Sequence, residues 1–463
     1  MSAWRAWLER RFALAAHNTT VRTEVGAGVA TFLTLSYILF VQPAVLSLPP
    51  CGMDPGGVLF ATCVASALAC FLMAWWANHP IALAPAMGHN LFFVFTVCAG
   101  MGFTWREALA ANLLSGLAFL ALAGTGLRER VMHAVPDSLK SAIAVGIGLL
   151  IATVGLQWGG LVVDQPVVLV QLGELGHPVA LLSLFGLALT SVLLARGHRG
   201  AILVGIAASV AVGLAASRLA GLETPLVRWE GVVGPPPSPA GTAFELDLPG
   251  LFGRPLTDWL AVVLTFLLLD LFDTVGTLLG VARQAGLLRD GRLPRARGAL
   301  AADAAGTVAG SLLGTSTVTS YVESAAGVAA GGRTGLTAAV TGVCLLASLV
   351  LGPLIETVAA GVNVGTAAEP VLRYPVIAPV LILIGALMMR SVRDVDWKDM
   401  AVAVPAFLTI VVMQLSFSIT DGIAWGLIAH SLLALATSRA RETPLLMHAF
   451  ALLFLLRYVW LSL

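Results

Sequence analysis

The chain has 463 residues, of which 58% are hydrophobic and only 11% charged, with a formal net charge of +1. Mean hydropathy is +0.92, and an average soluble domain carries roughly 25% charged residues, so too little polar surface exists to clothe a soluble globule. Soluble and disordered classes are excluded, leaving a protein whose solvent is the lipid bilayer; the near-zero charge and lack of a basic tail exclude a nucleic-acid partner.

The N-terminal stretch from Trp4 to His17 sets Arg5, Arg10 and Arg11 between apolar residues and has no cleavage-site pattern. It reads as an interfacial amphipathic helix within 1–23 rather than a signal peptide. Breaking the remainder at Gly, Pro and charge clusters, and requiring about 20 apolar residues per crossing, predicts fourteen spans. The first seven cover 24–47, 57–77, 81–98, 105–126, 137–158, 178–195 and 200–218. The second seven cover 257–282, 298–314, 317–331, 334–357, 372–391, 399–419 and 421–438. With the N-terminus in the cytoplasm, 20 of the 26 Lys and Arg residues fall on cytoplasmic segments, as the positive-inside rule requires. The sequence therefore predicts a multi-pass protein of a cell membrane, such as a bacterial inner membrane, with both termini cytoplasmic. A Pro- and Gly-rich segment, 219–256, falls outside and divides the spans seven and seven; 283–297 is a basic inside loop. The last apolar stretch, 445–463, carries Arg457 and is expected as an interfacial helix within 439–463, a fifteenth span being the alternative. Cys51, Cys63, Cys70, Cys98 and Cys344 lie mostly in apolar runs, without CxxC or metal-ligand spacing. They read as small apolar filler, and no metal or cofactor is expected.

Spans three and ten do not read as ordinary helices. Span three contains His79-Pro-Ile-Ala-Leu-Ala-Pro-Ala-Met-Gly-His-Asn90 and is interrupted by Pro80, Pro85 and Gly88. Span ten opens Gly314-Thr-Ser-Thr-Val-Thr-Ser-Tyr-Val-Glu323, a run of β-branched and hydroxyl residues that favours extended backbone. Each is third in its set of seven, and interrupted segments at matching positions of two halves mark a transporter binding site. Seven is odd, so the second half is inverted relative to the first. Extended backbone within the bilayer must be paired or buried, so two short strands, one from each span, are expected to pair. The half-helices that follow would then aim their N–H groups at a ligand near mid-membrane.

Four acidic residues fall well inside predicted spans, away from the span ends: Asp270, Asp273, Asp303 and Glu323. A charge at the bilayer centre costs at least about 2.5–3.5 kcal/mol, and no Lys or Arg shares these span cores. Such a carboxyl is cheaper neutral than charged, which makes it a candidate proton carrier. Asp270, Asp273, Thr274 and Thr277 share one helix face. Glu323 falls where span ten turns from strand to helix. Function is the favoured reading for Asp273 and Glu323; Asp270 divides between function and hydrogen bonding to freed backbone; for Asp303 the structural reading is favoured. Asn90 can both donate and accept at a heterocycle edge. Phe92 and Phe93 could stack on a flat ring, with apolar packing the default. His89 is either a polar pocket wall or a backbone cap. Gln157 is either a gate or an interfacial residue, and His430 needs no special role.

At these residues the sequence resembles the AzgA-type purine permeases, the adenine/guanine/hypoxanthine branch of the nucleobase–cation symporters (NCS2). The resemblance is carried by Leu83-Ala-Pro-Ala-Met-Gly-His-Asn, Asp270-Leu-Phe-Asp-Thr-Val-Gly-Thr, the Gly314–Gly327 motif, Gly331-Gly-Arg-Thr-Gly, Phe32-Leu-Thr-Leu-Ser-Tyr-Ile and Pro405-Ala-Phe-Leu-Thr-Ile, and runs from about residue 20 to 440. It implies an all-α polytopic fold of fourteen segments in a 7+7 inverted repeat with pairing strands in spans three and ten. Spans 1–4 (24–126) and 8–11 (257–357) would form a core domain, spans 5–7 (137–218) and 12–14 (372–438) a gate domain. It implies import of purine nucleobases by proton symport through an elevator-like movement, often in a homodimer. By motif, Asp273, Glu323, Val322 and Asn90 would hold the base, with Thr277, His89 and Phe92 about them, and Asp273, Glu323 and Asp270 would couple the proton. The usual span-three pattern is Pro-Gly-Met-Gly-Leu-Asn; here Ala86 and His89 depart from it, which bears on base preference.

Three rivals follow from the residues. An intramembrane prenyl-transfer enzyme could use Asp270-x-x-Asp273 on Mg²⁺-diphosphate, but the pair is mid-span with no basic partner. An anion transporter would want Arg or Lys in spans three, eight or ten, where none stands. Xanthine, urate or uracil are the alternative substrates within the nucleobase symporters.

Overall fold

A computed structural model describes residues 3–124, 135–165, 169–198, 200–219, 221–222, 224–288, 293–365, 371–437 and 443–461. The predicted end of span four at 125–126, and parts of the 219–256 and 283–297 segments, lie outside the described residues. In chain order the elements begin with α1 (Ala3–Phe12), α2 (Val21–Leu35), α3 (Ile38–Leu46), α4 (Pro55–Leu72, continued by a π-helical turn to Ala77), β1 (Leu83–Pro85), α5 (Met87–Leu91, continued as π-helix to Gly100) and α6 (Trp105–Gly124). There follow α7 (Asp137–Trp158), the hairpin β2 (Val162–Gln165) and β3 (Leu169–Leu172), α8 (Pro178–Ala195), α9 (Ala201–Leu219) and α10 (Leu248–Gly253). The second half runs α11 (Leu256–Gln284), α12 (Ala296–Leu313), β4 (Val318–Ser320), α13 (Ser324–Ala329), α14 (Gly335–Ala347) and α15 (Gly352–Ala359). It closes with β5 (Val362–Asn363), β6 (Leu372–Arg373), α16 (Ala378–Met388), α17 (Met400–Leu415), α18 (Ile419–Ala436) and α19 (Leu445–Leu461).

Among the described residues, nine helical runs are long and apolar enough to cross a membrane. The predicted spans three, nine, ten, twelve and thirteen are not among them. Spans three and ten are strand plus short helix, and α16 and α17 have 11 and 16 residues. The predicted first span is broken at Ser36-Tyr37, between α2 and α3.

Packing follows the inverted repeat. α2 packs on α14 as α11 packs on α6; α4 packs on α14 as α12 packs on α6; α2 meets α13 as α11 meets α5. The same exchange relates α8–α16 to α17–α7 and α8–α9 to α17–α18, while α4–α12 and α7–α16 lie on the pseudo-axis. So does the strand pair: β1 and β4 are antiparallel, with Leu83 opposite Ser320, Ala84 opposite Thr319 and Pro85 opposite Val318.

Two further segments are tied to the helices by named contacts. The 219–256 segment, for which the sequence suggests no role, laces element ends together: Gly234 N–H donates to Val350 O at 2.9 Å, Phe244 N–H to Leu312 O at 2.7 Å, and Arg106 pairs with Glu245 at 2.9 Å. The C-terminal helix α19, expected as interfacial, lies lengthwise on α18 and runs antiparallel to it. His448 Nδ1 meets Ser431 Oγ at 2.5 Å near one end, and Tyr458 Oη donates to Asp421 Oδ1 at 2.6 Å near the other. Met447 and Phe454 of α19 are fully buried.

Candidate functional site

The centre of the molecule is the extended segment 314–320. Gly314 ends α12 at φ +98, and a Cβ there would stand 2.3 Å from Thr242 Cβ, so glycine alone serves. In the strand pair Ala86 N–H donates to Thr317 O and Tyr321 N–H to Ala82 O, each at 2.9 Å. By alternation, Leu83, Pro85, Val318 and Ser320 direct their backbone groups away from the partner strand. Pro85 thus occupies a position where a missing N–H is harmless. The outward groups of Val318 are taken by one hydroxyl: Thr307 Oγ1 accepts from its N–H at 3.2 Å and donates to its carbonyl at 3.0 Å.

The hydroxyl-rich composition of this segment has a direct explanation, because each hydroxyl from Thr315 to Ser320 meets a partner on another element. Gln42 Nε2, on α3, donates to Thr315 Oγ1 at 2.8 Å and to Ser316 Oγ at 3.2 Å. Ser316 donates to Asn90 Oδ1, and Asn90 Nδ2 donates to Gln42 Oε1. Thr317 donates to Asn112 Oδ1 on α6 at 2.5 Å, while Asn112 Nδ2 donates to Ser311 Oγ at 2.9 Å. Thr319 donates to Asp273 Oδ2 at 3.2 Å and Ser320 to Asp303 Oδ1 at 3.1 Å.

The four intramembrane carboxyls divide between the two sides of this ladder. Asp273 is exposed and Glu323 half-buried, and the Val322 side chain is exposed. Tyr37 Oη donates to Glu323 Oε1 at 2.8 Å. Behind, Asp270 and Asp303 are fully buried. Thr274 Oγ1 bridges them, 2.8 Å from Asp303 Oδ2 and 3.3 Å from Asp270 Oδ1, and Thr307 Oγ1 stands 3.4 Å from Asp270 Oδ2. Asp303, given a structural reading from sequence, is therefore wired to both the strand and Asp270. Three ion pairs occur among the described residues, and none involves these carboxyls. Carboxyls buried without a cation must share or exchange protons or be matched by hydrogen-bond donors.

The other expected contacts differ in burial and partners. Asn90 is fully buried and committed to Gln42 and Ser316. Phe92 and Phe93 are fully buried on Phe266, with ring centroids 4.7 and 6.4 Å away, so they pack rather than line an opening. His89 is buried with Nε2 unpartnered. Thr277 is half-buried. Gln157 offers its carbonyl to Arg373 Nη1 at 2.5 Å beside the Trp158–Tyr374 ring pair, at the far end of α7. Gln42 and Asn112 have no place in the sequence reading, and Tyr37 enters it only within the Phe32–Ile38 motif, without a role; the signal for the two amides is a lone amide in an apolar run.

Comparison with known proteins decides the family. The model of the Permease family (Xan_ur_permease) matches residues 22–425. The chain belongs to that permease family. It is a membrane transporter, not an enzyme, and its resemblance to the AzgA-type branch of the nucleobase–cation symporters stands. It is 40% identical to adenine permease AdeP of Escherichia coli over 98% of this chain and 96% of the relative. It is 40% identical to guanine/hypoxanthine permease PbuG of Bacillus subtilis over 96% of this chain and 98% of the relative. In fold it is similar to the transmembrane domain of the cyanobacterial bicarbonate transporter BicA, with TM-score 0.60 at 16% identity, covering 88% of this chain and 97% of that one.

Proposed function

We propose that the permease imports purine nucleobases, among them adenine, guanine and hypoxanthine, together with protons across a cell membrane. The observation that carries this reading is the pair of accessible carboxylates, Asp273 and Glu323, on the open side of the strand ladder, with no ion-pair partner among the described residues. Carboxylates accept the ring N–H and exocyclic N–H₂ donors of a neutral base. The same feature argues against the anion reading, since spans three, eight and ten carry no Lys or Arg. The names of the relatives, adenine and guanine/hypoxanthine permeases, support purines over xanthine, urate or uracil.

In this mechanism the base hydrogen-bonds to Glu323 and Asp273, and a proton taken up by a carboxyl of the cluster removes charge before the site crosses the bilayer. Asp270 and Asp303 extend that cluster through Thr274, Thr319 and Ser320. The crossing is an elevator-like movement of a core (spans 1–4 and 8–11) against a gate (spans 5–7 and 12–14), in a homodimer. His89 and Ala86 tune base preference through α5.

The test is uptake of radiolabelled adenine, guanine and hypoxanthine into a purine-transport-deficient host, with and without a protonophore. Uptake should collapse with the proton gradient. Asp273→Ala should abolish it, and Glu323→Gln should retain binding while losing accumulation. Absence of purine uptake from protein demonstrated at the membrane, or normal accumulation by both variants, would refute the proposal.

A further inference from the structure

We propose that Tyr37 is a positioning residue of this site: its hydroxyl fixes the Glu323 carboxylate and thereby sets how tightly, and which, nucleobases bind. The inference rests on the nucleobase reading above and adds a residue to it.

Tyr37 stands at the interruption of span one, between the end of α2 at Leu35 and the start of α3 at Ile38. Because α2 packs along α13, this break lies against the point where α13 begins and Glu323 precedes it. Tyr37 is 2% exposed, so its ring is walled in, while the carboxylate that it reaches at 2.8 Å is half-buried. One turn earlier, Thr34 Oγ1 lies 3.3 Å from the backbone oxygen of Glu323, so span one holds this residue at both ends. Opposite, Tyr321 donates from its hydroxyl to Pro85 O and clamps strand β1 to the start of the same turn.

Nothing charged performs this task. With no Lys or Arg in spans three, eight or ten, the orientation of Glu323 depends on a neutral donor. A carboxylate offers two oxygens and about four lone-pair sites. The phenol occupies one site on Oε1 and leaves the remainder of this half-buried carboxylate for another donor, such as an N–H of a base. Packing alone would be served by phenylalanine, which fills the same volume; the hydroxyl is what Glu323 requires. Removing it frees the carboxylate to rotate, so a base must both bind and order its acceptor.

The experiment is a double-mutant cycle with Tyr37→Phe, Glu323→Gln and the pair. It is read as radiolabelled adenine and hypoxanthine binding to the purified full chain in detergent, so that variants unable to transport still report, together with KM for uptake. Tyr37→Phe should weaken adenine binding by at least about fivefold, raise KM in step, change Vmax per transporter by less than about twofold, and alter the adenine-to-hypoxanthine affinity ratio. In the Glu323→Gln background the same substitution should add little, because its partner is already altered. KM does not depend on the amount of protein, so poor expression of Tyr37→Phe leaves the result decisive. Unchanged affinity and base ratio in Tyr37→Phe, or an equal penalty with and without Glu323, would overturn the proposal. A wild-type chain that binds no purine overturns the purine reading instead, and the same cycle then reports on Tyr37 with uracil and xanthine as probes.

Discussion

The close approach of α13 to α2 leaves no room for a single added methyl group. Gly327 sits in α13, four residues after Glu323, and a Cβ placed there would stand 2.1 Å from Thr31 Oγ1 and 2.7 Å from Ala27 O. The hydroxyl can rotate aside. The carbonyl belongs to the α2 backbone and cannot, and ordinary contact begins at 3.4 Å, so Gly327→Ala must part the two elements by roughly 0.7 Å. Overpacking of this kind costs about 1–3 kcal/mol, against which alanine recovers about 0.8–1.0 kcal/mol of helix propensity. The parting also stretches the 2.8 Å bond from Tyr37 to Glu323 toward about 3.5 Å, beyond hydrogen-bonding range. Gly26, on α2 itself, has no atom within 4 Å of its Cβ position, so Gly26→Ala supplies the matched control and should be neutral or slightly stabilising. The assay is thermal unfolding of purified protein in detergent alongside uptake KM. Gly327→Ala should melt below both wild type and Gly26→Ala and show a raised KM. If the two variants melt together with the same KM, the packing argument is refuted.

Gln42→Leu removes the donor to Thr315 and Ser316 and the acceptor of Asn90; leaving those buried groups unpaired should cost about 1–3 kcal/mol each where no water replaces the bond, seen as a lowered melting temperature in detergent. The antiparallel course of α19 along α18 predicts that a topology reporter fused after Leu463 scores on the opposite side of the membrane from one fused after Thr437. Reporters on the same side would mean that α19 rests on the membrane surface.

Much of the centre was legible in the sequence because extended backbone inside a bilayer has few permitted fates. Prolines in span three and a hydroxyl-rich run in span ten, each third in its half, leave strand pairing as the economical solution, and β1 and β4 do pair. The charged side chains were equally visible, since Asp and Glu are rare at such depth. What escaped was the matching of donors to acceptors across long separations: Gln42 to Thr315, Asn112 to Thr317, Tyr37 to Glu323. No periodicity encodes these, because each partner lies on a different element and only the fold decides which faces meet. For the same reason the bonds of Asn90 to Gln42 and Ser316 could not be read from sequence. A five-residue helix such as α5 gives no hydrophobic stripe by which to tell the face that opens on a cavity from the face that packs.

The distribution of polar contacts bears on how such a site could move. The ladder from Thr315 to Ser320 joins α3, α5, α6, α11 and α12 through side chains that would each lose a buried hydrogen bond if any of these elements slid independently. These elements therefore travel together or not at all. The long-range bonds of the other group, Gln414 Nε2 to Thr153 Oγ1 at 2.7 Å and Arg373 to the Gln157 carbonyl, stay within α7, β6 and α17. Where the groups touch, the contacts described are apolar: Gly88 lies against Ile147, and the Phe95 ring meets Phe417 edge-on at 5.2 Å. Apolar surfaces can slide with no hydrogen bond left unmade, whereas a laddered one cannot. That asymmetry favours displacement of one intact group past the other over a rearrangement within the strand pair.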